Sequence, residues 1–282
     1  MNSFKNTVGF ITGGASGIGL GVARALGERG MTLVLADIEH DALEAARSDL
    51  SSQGIQVHTE ILDVRDANAF RDVADRTLAT HGKLNFLFNN AGVGAGYALS
   101  GNTPLDDWRW VMDVNVMGVV NGIECFLPAM QESGEPGYII NTASLGGLVA
   151  QPGGGPYITS KFAVVGYSEV LQLELEGSKI DVSVLCPAWV KTRIAQSLRN
   201  HPDPTRAAEN YEGEAGGRYS RIIEAEGISV TSVGERVIAG MAAKNFYLFT
   251  HPSHWRFLEE RISRITTEYQ HILPSNNLTD SH

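Results

Sequence analysis

Only two cysteines, Cys125 and Cys186, occur in this chain of 282 residues, both within apolar stretches. A disulfide-stapled scaffold has no material here, and two buried thiols in a reducing compartment are expected. Positive charge is also scarce: 22 Lys and Arg face 32 Asp and Glu, leaving a formal net charge of −10. With no basic cluster, the chain lacks the electrostatic footprint of a nucleic-acid partner. It has no run of 18 apolar residues and does not open with a charged segment followed by an apolar one. Neither a membrane partner nor a secretory leader is therefore expected, and the reading is a soluble cytoplasmic protein. There is no internal repeat or low-complexity tract. His251 and His254 are three apart with no third ligand evident, so no metal is expected. What the chain does have is 43% apolar residues, enough for a large core, at a length that single α/β domains commonly reach.

Strands and helices alternate. The sequence predicts strands near 7–12, 31–36, 56–62, 84–89, 137–143, 180–186 and 246–250, with helices near 17–29, 40–52, 66–80, 105–131, 157–176 and 231–244. Continuous apolar strands such as Leu84 to Phe88 suit a sheet covered on both faces. The expected fold is α/β: a Rossmann-type, doubly wound, parallel seven-stranded sheet in a single domain over 1–270. A C-terminal amphipathic helix is expected over 251–270, with Trp255, Leu258, Ile262 and Ile265 on one face, then a disordered tail over 271–282.

After the first strand come Gly13, Gly14, Ala15, Ser16, Gly17, Ile18 and Gly19, and then a helical run. Strand, glycine turn and helix is the geometry in which backbone N–H groups and a helix N-terminus meet a pyrophosphate. Asp37 ends the second strand. An acid there can accept the adenosine ribose hydroxyls and would repel a 2′-phosphate. No Arg or Lys lies in the loop or directly after Asp37, which favours NAD over NADP. The plainer alternative for Asp37 is a cap for the next helix, a role open equally to Asp41. Thr12, Asp37, Asp63, Asn89, Ser144 and Pro187 all fall at or just past the C-terminal ends of predicted strands, the edge where doubly wound sheets bind ligands.

Tyr157 and Lys161 are four residues apart in a predicted helix, thirteen residues after Ser144. Positions i and i+4 share a helix face, so phenol and ammonium can point into one pocket. A phenol titrates near ~10; a nearby fixed cation favours phenolate and makes the tyrosine a usable acid or base.

With these residues in hand, the chain resembles the short-chain dehydrogenase/reductase family over nearly all of 5–250. The matches are Thr12-Gly-Gly-Ala-Ser-Gly-Ile-Gly19, Asp63-Val64, Asn89-Asn-Ala-Gly92, Asn115, Ser144, Tyr157-Ile-Thr-Ser-Lys161 and Cys186-Pro-Ala-Trp-Val-Lys-Thr192. The resemblance implies that Asp63 and Val64 contact the adenine and that Asn89, Ala91 and Gly92 flank the adenosine and ribose. Pro187, Val190 and Thr192 would lie along the nicotinamide, the last two holding its carboxamide. Lys161 would also grip the nicotinamide ribose, and Asn115, in a slightly broken helix, would hold a water of the proton relay. Bland roles stand beside these: Asn89 as strand support, Asn115 as a satisfied core residue, Asp63 as a helix cap. One departure is Pro187-Ala188 where the family usually has Pro-Gly, and alanine disfavours positive φ.

The expected reaction is interconversion of a secondary alcohol and a ketone with NAD, with Tyr157 as acid/base, Ser144 steadying the oxygen and Lys161 lowering the tyrosine pKa. Tyr97, Leu145, Leu148 and Trp189 read as substrate pocket, and no arginine flanks Ser144 or Tyr157 to clamp an anion. Arg193 and Arg199 read as solvated helix charges or as groups able to swing in. A bulky, largely uncharged aromatic or alicyclic substrate follows. Among family members the chain looks most like bacterial dehydrogenases acting on benzylic alcohols of lignin-derived aryl ethers. The polar stretch 199–228 reads as a mobile substrate lid. The resemblance also implies a homodimer or homotetramer through the helices at 105–131 and 157–176. The alternatives are a non-catalytic NAD(P)-binding sensor, which needs no Ser144–Tyr157–Lys161 set, and a nucleotide-sugar epimerase or dehydratase, which would need a basic phosphate pocket.

Overall fold

A computed structural model describes residues 4–208 and 214–272. Seven strands form one sheet: β1 (Val8–Thr12), β2 (Thr32–Asp37), β3 (Val57–Ile61), β4 (Phe86–Asn89), β5 (Gly137–Thr142), β6 (Ile180–Cys186) and β7 (Tyr247–Phe249). Their spatial order is β3-β2-β1-β4-β5-β6-β7 and every pairing is parallel. The order reverses between β1 and β4, the place where a doubly wound sheet opens a crevice for a ligand.

Each strand sends alternate side chains to opposite layers. Phe10 of β1 meets Phe70 and Phe126, with ring centroids 6.0 and 4.7 Å away. The neighbouring Ile11 faces the other layer with Phe86, Phe88 and Leu185. On the Phe10 side lie α3 (Ala67–His81), α4 (Leu105–Met112), α5 (Gly118–Ser133) and α6 (Gly155–Glu174); on the Ile11 side lie α1 (Gly17–Gly27), α2 (His40–Ser52) and α9 (Val230–Ala242). The expected Rossmann-type sheet is therefore present.

Three local differences from the sequence reading have physical causes. The helix expected over 105–131 carries a single π turn, Asp113–Met117, between α4 and α5, an irregularity that often marks a functional position. By length and hydropathy the stretch Leu105–Ser133 could cross a bilayer, but it presents Trp110, Val111, Ile123 and Phe126 to the core. Segment 199–228, read as a polar lid loop, contains α7 (Pro204–Ala208) and α8 (Glu214–Glu226), while residues 209–213 lie outside the described residues. Cys186 is buried as expected; Cys125 is only half-buried.

The chain divides at Thr250 into one compact unit before it and a second after it. The described part of the second is a 3-10 turn (Pro252–His254) and α10 (Trp255–Gln270), none of whose side chains is buried. His251 and His254 have ring centroids 5.4 Å apart, and no cluster of three metal-ligating side chains occurs among the described residues. Of the tail expected to be disordered, 273–282 lies outside the described residues.

A buried polar seam joins β4 and β5 to the helices. Asn89 donates to Asn141 (2.9 Å), which donates to Ser168 on α6 (3.0 Å). Gly122 of α5 packs directly on Asn89: a Cβ there would fall 2.1 Å from Asn89 Oδ1. Gly122→Ala is accordingly expected to destabilise by about 1–3 kcal/mol through overpacking, read as a lower urea midpoint at unchanged m.

Candidate active site

β1 ends at Thr12 and the chain turns through Gly13 and Gly17, whose φ of +63° and +56° are left-handed and suit glycine. Gly19 permits the helix to close on the loop, since a Cβ there would lie 2.2 Å from the Gly13 carbonyl oxygen. Ser16 is the N-cap of α1, yet its side chain makes no capping bond and no acid sits in the first turn. The first-turn N–H groups therefore have no anionic side-chain partner of their own, an arrangement that fits a phosphate. Asp37, ending β2, faces this loop: its Oδ2 accepts from Ala15 N and its Oδ1 from Glu39 N, each at 3.1 Å. It is not the cap of α2; that position belongs to Glu39. Burial raises the Asp37 carboxyl, with the amides of Glu39 and Ala15 pulling it back.

Across the crevice, Asn90 holds the loop in place. Its Nδ2 donates to the carbonyls of Thr12 (3.1 Å) and Gly13 (3.2 Å), and its N–H and that of Ala91 donate to Thr12 Oγ1 (2.9 and 3.1 Å). Sequence reasoning named Asn89, whose side chain belongs to the buried seam instead. Its neighbour Asn90 went unnamed, although the Asn-Asn pair was the available signal. Asp63 pairs with Arg65 at 2.6 Å; burial pushes its carboxyl up, but the Arg65 hydrogen bonds outweigh that and leave it lowered. The cap of α3 is Asp66, not Asp63. Val64 is a core residue packed on Gly118. Pro187 accepts from Ser144 Oγ (3.4 Å) and Leu145 N (2.9 Å). Val190 is buried and forms a bridge with Ile228. Thr192 Cγ2 lies 3.2 Å from where a Gly17 Cβ would be, so the 187–192 segment returns to the glycine loop. Ala188 is not among the residues with positive φ, and its N–H donates to Thr250 Oγ1 (3.2 Å), so alanine in place of glycine costs no strain there.

Ser144, Tyr157 and Lys161 come together as expected. Ser144 caps the turn Leu145–Gly147, its Oγ accepting from Gly146 N at 3.0 Å, and the Tyr157 ring lies close by: a Cβ on Gly146 would meet both Ser144 Oγ (3.4 Å) and Tyr157 Cε1 (3.8 Å). Lys161 Nζ lies 5.6 Å from the Tyr157 ring centroid and donates to the Thr142 carbonyl at 2.8 Å. Burial lowers the Lys161 ammonium to about 8, with Cys186 opposing, while burial raises the Tyr157 phenol and the Ser144 bond opposes. The expectation that Lys161 pulls the phenol down is thus not met by the protein's own groups. The same low-dielectric site that holds the lysine disfavours both charged forms. Gly92 lies beside them, a Cβ there being 3.3 Å from Lys161 Nζ and 3.4 Å from Asn115 Oδ1.

Asn115 sits in the π turn. Its Oδ1 accepts from Val93 N (2.8 Å) and its Nδ2 donates to Val93 O (3.0 Å) and Ser160 Oγ (2.9 Å). Three bonds within the protein make the side chain a positioning group that ties the end of β4 to the tyrosine helix.

The side expected to face a substrate is aromatic. Tyr97 leans over Gly153, where φ is +82° and a Cβ would fall 1.9 Å from the ring. Tyr219 of α8 stands between Tyr97 and Trp189, with centroids 6.5 and 5.8 Å away. It lies within the segment expected to surround the substrate but was not singled out; an aromatic in a polar stretch was the signal. Leu145 is half-buried after Ser144, whereas Leu148 packs against the core. The segment leading to α8 is anchored at Asp107 of α4, which is buried and bonded to Arg206 (Nη2–Oδ2, 2.5 Å), with His201 Nε2 at 3.5 Å. Its return is fixed by Ile228 N donating to Trp189 O (3.1 Å) and Lys191 N to Ile228 O (3.0 Å).

The model of the family described as short chain dehydrogenase matches residues 7–203. A C alpha-dehydrogenase of Sphingobium sp. (strain SYK-6) is 34% identical over 266 residues, covering 94% of this chain and 87% of that protein. A CLA biosynthesis dehydrogenase/reductase of Lactiplantibacillus plantarum is 32% identical over 280 residues, covering 95% and 96%. A crystal structure of a short chain dehydrogenase/reductase from Burkholderia phymatum in complex with NAD aligns at TM-score 0.89 and 34% identity, covering 99% of this chain and 100% of that one. Family match, sequence and fold agree with the serine, tyrosine and lysine assembled at the sheet edge: the chain belongs to the short-chain dehydrogenase/reductase family of oxidoreductases.

Proposed function

We propose that this oxidoreductase interconverts a bulky, largely uncharged secondary alcohol and its ketone with NAD, using Tyr157 as proton donor and acceptor. The observation that carries the reading is that Ser144 Oγ and the Tyr157 ring meet at Gly146, with the buried Lys161 ammonium 5.6 Å from the ring centroid. A bound nicotinamide would supply hydride transfer, and in its oxidised form a positive charge. The glycine loop, with the unmatched N-terminus of α1, would hold the pyrophosphate, and Asp37 the adenosine ribose. Ser144 donates a hydrogen bond to the substrate oxygen and steadies charge on it. With its pKa raised by the protein alone, Tyr157 is protonated at neutral pH and ready to give its proton to a ketone oxygen. Taking a proton from an alcohol requires phenolate, which the positive charge of the oxidised nicotinamide would favour.

Tyr97, Trp189 and Tyr219 support an aryl or alicyclic substrate, and relatives named C alpha-dehydrogenase and CLA biosynthesis dehydrogenase/reductase support alcohol–ketone chemistry. The NAD complex of the Burkholderia protein supports the coenzyme. The proposal includes a cytoplasmic homodimer or homotetramer, for which Met117 and, on α6, Val170 and Leu173 offer exposed apolar surface.

Three outcomes are expected. Purified protein with NAD oxidises 1-arylpropanols faster than cyclohexanol, followed at the reduced-nicotinamide band; silence from every alcohol with NAD still bound would point to the sensor alternative. Tyr157→Phe keeps NAD affinity and lowers kcat by about 10²–10⁴, and full activity in that variant would remove Tyr157 from the chemistry. In selectively ¹³C-lysine-labelled protein without coenzyme, one resonance titrates near 8 and is absent from Lys161→Arg. Because this value is depressed, Lys161 is charged below about 8 and neutral above it, so a titration near the ordinary lysine range would contradict the buried geometry.

A further inference from the structure

Positive charge missing from the sequence around Asp37 is supplied by the fold. Glu39, two residues past Asp37, accepts from Arg193 Nη2 on Oε2 (3.2 Å) and, on Oε1, from Arg199 Nε (3.1 Å), Arg199 Nη2 (2.5 Å) and Asn200 Nδ2 (2.9 Å). Arg199 is further fixed by donating to the carbonyls of Arg193 (3.3 Å) and Gln196 (3.0 Å). Glu39 is joined to Asp37 by its own N–H, at 3.1 Å. Two guanidiniums brought from 154 and 160 residues away thus converge on the end of β2, where the adenosine ribose would lie in the NAD reading on which this inference rests. Guanidiniums fit a phosphate through several N–H donors at once, and a carboxylate engages the same donors.

We infer that Glu39 is a coenzyme-discriminating residue. Its carboxylate occupies Arg193 and Arg199, which without it would form a clamp for the 2′-phosphate of NADP. Asp37 excludes that phosphate by repulsion; Glu39 excludes it by removing the groups that would bind it. The same bonds fasten 193–200, which leads into the substrate-facing helices, to the coenzyme side of the site. Burial pushes the Glu39 carboxyl up, but Arg199, Asn200 and Arg193 outweigh it, so it stays ionised and paired at neutral pH.

The test is calorimetric binding of NAD, NADP and 2′,5′-ADP to the full chain, with no turnover needed. In Glu39→Gln, and in Glu39→Ala as a second variant, NADP affinity relative to NAD is expected to rise at least tenfold, with NAD affinity changed less than threefold and with tighter 2′,5′-ADP binding. Adding Arg193→Ala and Arg199→Ala to Glu39→Gln is expected to abolish the gain. An unchanged NADP-to-NAD ratio in both single variants overturns the inference, as does a gain that survives loss of both arginines. Failure of the underlying reading is separately visible in the unsubstituted protein: NADP bound more tightly than NAD, or neither bound, removes the NAD assignment and this inference with it.

Discussion

Thr12 and Asn90 hold β1 to β4 where the strand order reverses, and both halves of the site take their position from that join. Thr12 Oγ1 accepts from two successive N–H groups on the far side, while the Asn90 carboxamide reaches back to the carbonyls of Thr12 and Gly13. Thr142 Oγ1 donates to Asn90 Oδ1 at 3.3 Å, and the carbonyl of Thr142 is the acceptor for Lys161. One short chain of hydrogen bonds therefore runs from the glycine loop through Asn90 and Thr142 to Lys161. Loosening it would shift both ends of the proposed site together.

Around that join most buried polar side chains are paired, Asn89 Oδ1 being an exception. Asn115, Asn141, Ser160, Ser168 and Lys161 are all nearly inaccessible, and each is bonded to backbone or to another of the set. A half-satisfied network in such a layer would cost more than an apolar one. The π turn at Asp113–Met117 is part of the same arrangement, because it is the stretch that carries Asn115 toward Val93 and Ser160. The site thus has a stiff floor, with titration set by burial as much as by charge.

The segment after β6 is fastened differently, by ion pairs. Glu39 and Asp107, on the opposite layers of the sheet, hold Arg193, Arg199 and Arg206. Asp107 is buried and its pair resists screening, while the Glu39 pairs are partly solvated and each is individually weaker. The segment between is positioned at both of its anchors, and α8 carries Tyr219 toward Trp189 and Tyr97.

How much of this was legible in the sequence follows from the range of each interaction. The strand–glycine–helix order, the apolar strands and the i, i+4 pair of Tyr157 and Lys161 are local patterns, so the sheet, the glycine turn and the grouping of Ser144, Tyr157 and Lys161 could be read directly. Asn90 and Tyr219 lay in segments already marked, but their side-chain directions depend on what stands opposite. The rise in the Tyr157 pKa was beyond a spacing argument, because desolvation is a property of the closed core rather than of any pair. Charge near Asp37 depends on long-range contact too. The sequence showed no basic neighbour along the chain, and only the returning segment after β6 brings Arg193 and Arg199 to Glu39. The sequence by itself determined the architecture and which residues gather at the sheet edge, which periodicity and spacing encode. Tertiary structure alone decided which distant charges meet, because contacts between residues 154 and 160 positions apart leave no periodic trace in the chain.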